Sequence, residues 1–341
     1  MTQGWGIVGT GRVADGSVAP VLEDLSGATL VASVSRDFSK ATEFASRHGG
    51  RAYERYDELL ADEAVDVVYI ATPNALHAEQ ILAAVEAGKH VFADKPLALT
   101  PEDAARVVVA CEAAGVKLGI NFQTRHQEGM AEIRKSLQDQ EIGRPLIVEC
   151  EVSPGAGGLR GWRTDPDVAG LGTINNLGVH AYDLLRWLLG QEIVEVAVLT
   201  DAARSREMET IALALLRFEH GTLGYVNANQ AVRDHQPDLV IYATEGRITG
   251  RSITRPNIAS GEIRVTTDVA ERVIHTQTLD AFKRSVAAFN DAVQRDEDPT
   301  PSALDGLRSV ELTAAMRTSA REGRSVAVSY STPQEILERT A

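Results

Sequence analysis

The stretch GIVGTGRVA, Gly6 to Ala14, carries an apolar strand pattern straight into Gly9-x-Gly11-x-x-Ala14 at the entry to a helix. Glycines at such a turn let the backbone bend tightly and approach a ligand, while the free N–H groups and dipole of the following helix favour an anion. Its place after the first strand makes the turn a candidate pyrophosphate site lined by Gly9, Thr10, Gly11, Arg12 and Val13; the blander reading is a strand-to-helix turn and nothing more. Working outward, the apolar runs WGIV, LVASVS, VDVVYIA, HVFA and KLGI alternate with helical segments such as HAEQILAAVEAG as far as Ile120. That alternation predicts a parallel sheet wrapped by helices. Thr100, Pro101, Glu102 and Asp103 read as an N-cap, an N1 proline and two first-turn acids, so a helix is predicted from there to the C′ glycine Gly115.

Beyond Gly143 the pattern changes. IVECEVS, IVEVAVLT, IALALLRFEHGTLGYVNANQ and DLVIYATEG read as strands joined by turns, one of them at Glu219 to Gly221, and predict a mainly antiparallel sheet. Helices are expected near Ala281 to Gln294 and Ser302 to Arg321, with a last strand at Val326 to Ser329. A chain of 341 residues exceeds what one ordinary core usually holds, and the change of pattern divides it into residues 1–122 and 123–341. Only the C-terminal tail leans towards a disorder-prone composition.

The net charge of -14 argues against nucleic acid or an anionic membrane surface, because phosphate partners would be repelled and no basic run offsets it. Cys111 and Cys150 lack metal-ligand spacing and read as buried thiols suited to a reducing cytoplasm. No apolar run reaches membrane-spanning length, and MTQ leads into the first strand without a signal-like segment. No metal site is expected.

LVASVS ends at Ser35 and Arg36, where NAD-binding folds commonly place an acid for the ribose hydroxyls. A guanidinium there suits a 2′-phosphate, with Ser33 or Ser35 donating a hydrogen bond, so NADP is favoured over NAD. Asp37 could still turn inward, and Arg36 could simply be solvated. Lys95, just past the strand HVFA, lies at the carboxyl edge where such sheets bind ligands. Partly desolvated, it could exchange a proton with a hydroxyl or carbonyl oxygen; a solvated lysine at a strand end is the alternative.

Two further stretches, TPNALHAEQILAAVEAGKHVFADKPLALT (Thr72 to Thr100) and GLGTINNLGVHAYDLLRWL (Gly170 to Leu188), join the glycine turn in a resemblance that covers nearly the whole chain. Together they resemble the glucose-fructose oxidoreductase and inositol dehydrogenase family, Gfo/Idh/MocA. GWR at Gly161 to Arg163 and ATEGRITGR at Ala243 to Arg251 look most like its 1,5-anhydro-D-fructose reductase branch. The resemblance implies an α/β Rossmann domain followed by an α+β domain with an open, mainly antiparallel sheet, whose face covers the nicotinamide and often supports oligomerisation. It places Ala71, Thr72, Pro73, Asn74 and His77 beside the cofactor, Lys95 at the reacting carbon and Asn121 near the nicotinamide. Trp162 and Arg163 match the pair that reaches back to the cofactor in that branch. The family's Glu-Lys-Pro is here Asp94-Lys95-Pro96, one methylene shorter with its charge kept.

NNLGVHAYD aligns with the family's Asp-x-Gly-x-His. At helical spacing Asn176, His180 and Asp183 share one face, opposite Leu177, Leu184 and Leu188. His180 inherits a catalytic position, although a lone histidine on a helix is more often structural. Asn176 replaces the aspartate, and an amide does not exchange protons in the physiological range. Lys95 and His180 are therefore the candidates for proton transfer, with Asn176 orienting a substrate hydroxyl. Arg125 could line the substrate pocket or start a solvated helix, Asp183 reads as a helix-surface or supporting residue, and Phe282 reads as packing. The expectation is an NADP- or NAD-dependent oxidoreductase of a sugar, sugar-derived ketone or polyol, cytoplasmic and a homodimer or homotetramer. Two rivals stand beside it: a cofactor-bound sensor with weakened chemistry, motivated by Asn176, and an NAD-retaining elimination or glycoside-cleaving enzyme.

Overall fold

Six short parallel strands form the first sheet of the computed structural model, which describes residues 2–153, 158–202, 208–232, 238–254, 260–277 and 280–340. They are β1 (Gln3–Val8), β2 (Ala28–Val34), β3 (Arg51–Tyr53), β4 (Val67–Ile70), β5 (His90–Ala93) and β6 (Leu118–Ile120), in the order β3-β2-β1-β4-β5-β6. All the pairings are parallel. The chain leaves β1 towards β2 on one side and returns to β4 on the other, so a topological switch point lies at the carboxyl end of β1. The predicted helix runs Pro101–Ala114, with Thr100 Oγ1 accepting from Asp103 N (3.1 Å) and Gly115 left-handed at φ +64.

The chain packs as two units, and the first comprises residues 1–121, 282–310 and 331–341. This departs from the expected division, which gives everything after residue 122 to the second domain. The reason is apolar: helix Ala281–Arg295 sends Val286, Phe289 and Val293 into the core around Trp5 and Phe92. Phe92 stacks on Phe289 at 5.0 Å, and Trp5 Nε1 donates to Asn290 Oδ1 at 3.1 Å. The tail is also ordered rather than disorder-prone. Helix Pro333–Thr340 packs on helix Pro101–Ala114. Its capping box has Glu335 N donating to Thr332 Oγ1 (3.2 Å) and Thr332 N to Glu335 Oε2 (2.8 Å).

The second unit, residues 122–281 and 311–330, is built on nine strands: β7 (Pro145–Val152), β8 (Ile193–Thr200), β9 (Ile211–Phe218), β10 (Leu223–Asn229), β11 (Leu239–Ala243), β12 (Gly246–Arg251), β13 (Ser260–Thr267), β14 (Glu271–Gln277) and β15 (Val326–Ala327). Their order is β14-β13-β12-β11-β7-β10-β9-β8-β15, antiparallel throughout except for β7 beside β10. In β9 every second residue is buried, as period-2 patterning requires. The buried face packs under helix Val179–Leu189, with Tyr182, Leu184, Leu185 and Leu188 against Cys150, Val226 and Ile241. The opposite face leaves Leu199 71% and Leu215 61% exposed, with Ile147, Leu213 and Leu223 also uncovered. Among the described residues no helix is long and apolar enough to cross a membrane, and no His, Cys, Asp and Glu group could hold a metal.

Candidate active site

In the first unit, the residues proposed for the cofactor follow the carboxyl ends of β1, β2, β4, β5 and β6. Gly9 stands at φ +95, and a Cβ on it would lie 2.9 Å from the Ala71 carbonyl oxygen. Only glycine permits both the conformation and the close approach of the ends of β1 and β4. A Cβ at Gly11 would meet nothing within 4 Å. The backbone there thus borders open space, just before the helical turn Ala14–Val18, as a pyrophosphate cradle requires. These features fit a dinucleotide.

At the end of β2, Arg36 is exposed and Ser35 half-buried, whereas Ser33 is fully buried and out of reach of a ligand on the surface. Asp37 does not turn inward. It caps helix Phe38–His48, accepting from Ser39 N at 3.1 Å and Ser39 Oγ at 2.6 Å. The hydrogen bond from the Ser39 hydroxyl, more than any other contact, lowers its carboxyl below the usual range. The basic side chain is left as the charged group beside the position where a ribose acid would stand.

After β4, Ala71 and Thr72 are half-buried and Asn74 is buried at the start of the turn Asn74–Leu76. His77 is wholly buried, its ring nitrogens 2.7 Å from the Pro96 carbonyl and 2.9 Å from the Thr72 carbonyl. Its side chain therefore joins the two cofactor-side loops instead of reaching a ligand. After β5, Asp94 and Lys95 are half-buried. Asp94 Oδ1 accepts from Tyr69 Oη at 2.8 Å and from Asn121 Nδ2 at 3.0 Å. Asn121 Oδ1 in turn accepts from Ser285 Oγ at 3.0 Å.

In the second unit, Ile174–Gly178 is a wide π-type turn that precedes helix Val179–Leu189. The regular helical phase expected between Asn176 and Asp183 is therefore interrupted: Asn176 and His180 are half-buried, whereas Asp183 is buried and not on the helix surface. Asn176 Nδ2 donates to Gln230 Oε1 at 2.8 Å, and the His180 ring meets the Phe122 ring edge-on at 6.5 Å. Gly178 is required by Tyr182, whose ring atoms would lie 2.8 Å from an added Cβ. Arg125 is likewise buried rather than at a solvated helix start, donating through Nε to Asp183 Oδ2 (2.7 Å) and through Nη2 to Oδ1 (2.5 Å). Trp162 and Arg163 share the turn Gly161–Thr164, the guanidinium 4.3 Å from the indole centroid.

Sequence reasoning did not single out Tyr69, Ser285, Glu209 or Gln230. Glu209 is buried and its Oε1 accepts from Ile174 N at 3.2 Å, holding the start of the segment that carries Asn176. Burial raises its carboxyl above the ordinary range. Gln230 was legible only as the polar end of the strand pattern LGYVNANQ.

Residues 4–122 match the oxidoreductase family GFO_IDH_MocA, described as an NAD-binding Rossmann fold, and residues 130–249 match the GFO/IDH/MocA C-terminal domain. A 1,5-anhydro-D-fructose reductase of Ensifer adhaerens is 29% identical, over 95% of this chain and 98% of its own. A D-xylose 1-dehydrogenase (NADP(+)) of Haloferax volcanii is 31% identical, over 94% and 98%. Among solved structures, an aldose-aldose oxidoreductase from Caulobacter crescentus complexed with glycerol superposes with a TM-score of 0.87 at 26% identity, covering 96% of this chain and 100% of that one. A 3-ketoreductase from Actinomadura kijaniata in complex with NADP and TDP-benzene gives 0.84 at 26% identity, covering 94% and 98%.

Proposed function

Because the chain belongs to the GFO/IDH/MocA oxidoreductase family, we propose that it is an NADP-preferring oxidoreductase of a sugar, sugar-derived ketone or polyol, with Lys95 handling the proton. The observation that carries this reading is topological. Gly9, Arg36, Ala71, Asp94, Lys95 and Asn121 all follow the carboxyl ends of strands in one parallel sheet, on either side of its switch point. Gly9, Thr10, Gly11, Arg12 and Val13 would hold the pyrophosphate, Ser35 and Arg36 the adenosine ribose with its 2′-phosphate, and Ala71 to Asn74, Asp94 and Asn121 the nicotinamide half. The nicotinamide, when bound, supplies or accepts the hydride.

Lys95 Nζ donates a proton to the carbonyl oxygen on reduction and receives it from the hydroxyl on oxidation. His180 is assigned the second proton-handling role, and Asn176 orients a substrate hydroxyl as a neutral donor and acceptor. Trp162 and Arg163 are assigned to cofactor and substrate contact. Arg125 acts through Asp183, since its guanidinium is already engaged. His77 acts by holding the Thr72 and Pro96 loops.

Lys95→Ala tests the assignment. Cofactor binding is expected to persist while turnover falls by about a hundredfold or more. Near-normal turnover would remove Lys95 from the mechanism, and intact cofactor binding without turnover by the unaltered protein would favour the sensor.

The apolar face around Leu199 and Leu215 supports pairing of two copies through the second sheet, in a homodimer or homotetramer. Leu215→Lys is expected to lower the sedimentation mass, and an unchanged mass would place the contact elsewhere. A cytoplasmic location belongs to the same reading.

A further inference from the structure

We propose that Tyr69 and Ser285 are positioning residues for the cofactor, acting through the carboxylate and amide that lie next to Lys95. The inference rests on the dinucleotide reading above and assigns two residues to that site. Asp94 receives both of its side-chain hydrogen bonds on one oxygen, Oδ1, from Tyr69 Oη and Asn121 Nδ2. Among the described residues its other oxygen, Oδ2, accepts none, so one oxygen is anchored while the other is left for a donor such as a ribose hydroxyl.

The direction of each bond is chemically enforced. A carboxylate only accepts, so Asn121 must present its NH₂ to Asp94 and its carbonyl to Ser285 Oγ. Turning the amide over would set its oxygen against the carboxylate oxygen and its NH₂ against the serine. Asp94 thus fixes which end of Asn121 faces it, and Ser285, 164 residues further along the chain, holds the other end in place by donating to the amide carbonyl. Tyr69, Asn121 and Ser285 are all at least 98% buried, and the Tyr69 ring packs at 5.7 Å from Phe92. Water cannot readily substitute for a lost donor there, and a charge-assisted bond is strengthened by the low local dielectric. Burial, and next the charge of Asp94, raise the Tyr69 phenol well above its ordinary range, which keeps the hydroxyl a donor.

The aspartate is one methylene shorter than the glutamate of the family motif, so its carboxylate stays close to the sheet edge, within reach of the β4 tyrosine. Tyr69 on β4 and Asn121 after β6, the latter held by Ser285 on the returning helix Ala281–Arg295, then set its orientation before cofactor arrives. Such preorganisation raises affinity by removing an ordering cost at binding.

The test uses the full chain and titrates NADPH and NADH into the unaltered protein and into Tyr69→Phe, Ser285→Ala, Asp94→Ala and Tyr69→Phe/Asp94→Ala, read by nicotinamide fluorescence. Tyr69→Phe is expected to weaken cofactor binding on the order of tenfold, the scale of a hydrogen bond to a charged group. In the Asp94→Ala background the same change should have no further effect. Ser285→Ala should weaken binding several-fold, and in the cofactor-free protein should shift the Asn121 side-chain amide resonances. Asp94→Ser supplies the background if Asp94→Ala does not fold. Equal affinities for the unaltered protein, Tyr69→Phe and Ser285→Ala would overturn the proposal, as would a Tyr69→Phe loss of the same size without Asp94. Failure of the unaltered protein to bind either nucleotide would instead overturn the dinucleotide reading itself, and the proposal with it.

Discussion

Replacing Asp183 by asparagine would keep the shape of the side chain and remove one negative charge from the interior of the second unit. Its carboxylate is 1% exposed and faces the Arg125 guanidinium, itself 4% exposed, through two nearly parallel bonds. Arg186 Nη1 lies 3.9 Å from the same carboxylate and also pairs with Glu192. Asparagine would turn one acceptor into an NH₂ pointing at a cation. Removing one partner of a buried pair costs about 3–5 kcal/mol, because the remaining charge has lost both its counterion and its water. The double variant Arg125→Met/Asp183→Leu removes both charges and should recover most of that loss. The assay is urea denaturation followed by circular dichroism, comparing midpoints and slopes. A loss below about 1 kcal/mol for Asp183→Asn would show that solvent reaches the pair and refute its burial. Turnover should fall as well, since the pair joins the turn Gln123–His126 to the helix that carries His180.

Arg36→Ala should weaken NADP about tenfold or more while leaving NAD nearly unchanged, and equal losses in a titration would show that Arg36 does not read the phosphate. Gly178→Ala should destabilise by about 1–3 kcal/mol in denaturant, because the added methyl must displace the buried Tyr182 ring; an unaltered midpoint would mean that the ring moves without cost. Glu209 gives a pH signature. Its folded carboxyl titrates above its unfolded value, so its contribution is fully present below the ordinary glutamate range and is lost as pH rises through the raised value. Glu209→Gln should therefore become progressively more stable relative to the unaltered protein across that window, and parallel stability profiles would contradict the burial of the carboxylate.

Much of this architecture could be read from local patterns. The glycine turn, the alternation of apolar runs and helices, and the Thr100 to Gly115 helix signals each act over a few residues, and the structure contains all three elements. Thr332 and Glu335 formed an equally local capping signal for the tail helix, but the polar composition around them obscured it. Strands β13 and β14 were missed because no glycine-containing hairpin signal marks the turn between them, only residues 268–270. The return of helix Ala281–Arg295 to the first unit depends on Phe289 meeting Phe92, a contact between distant positions that periodicity does not report. The site shows the same division. Gly9, Lys95 and His180 stand in recognisable motifs, whereas Tyr69, Ser285 and Glu209 became visible through hydrogen bonds to residues far away in sequence. The helical spacing loses its phase at Asn176, because the π-type turn Ile174–Gly178 precedes the regular helix that carries His180 and Asp183, while Asp183 takes the supporting role through Arg125.

The central claim is that this chain moves hydride between NADP and a carbohydrate. Its most direct test is to incubate the purified protein with each of a panel of aldoses, ketoses, sugar-derived ketones and polyols, with NADP and NAD in both redox states, and to follow nicotinamide absorbance. Multiple turnovers of free cofactor with at least one sugar, sugar-derived ketone or polyol, faster with the NADP pair and abolished or strongly reduced in Lys95→Ala, are the predicted result. Binding of nucleotide with no absorbance change across the panel, or a tightly held nucleotide that never exchanges, would contradict it.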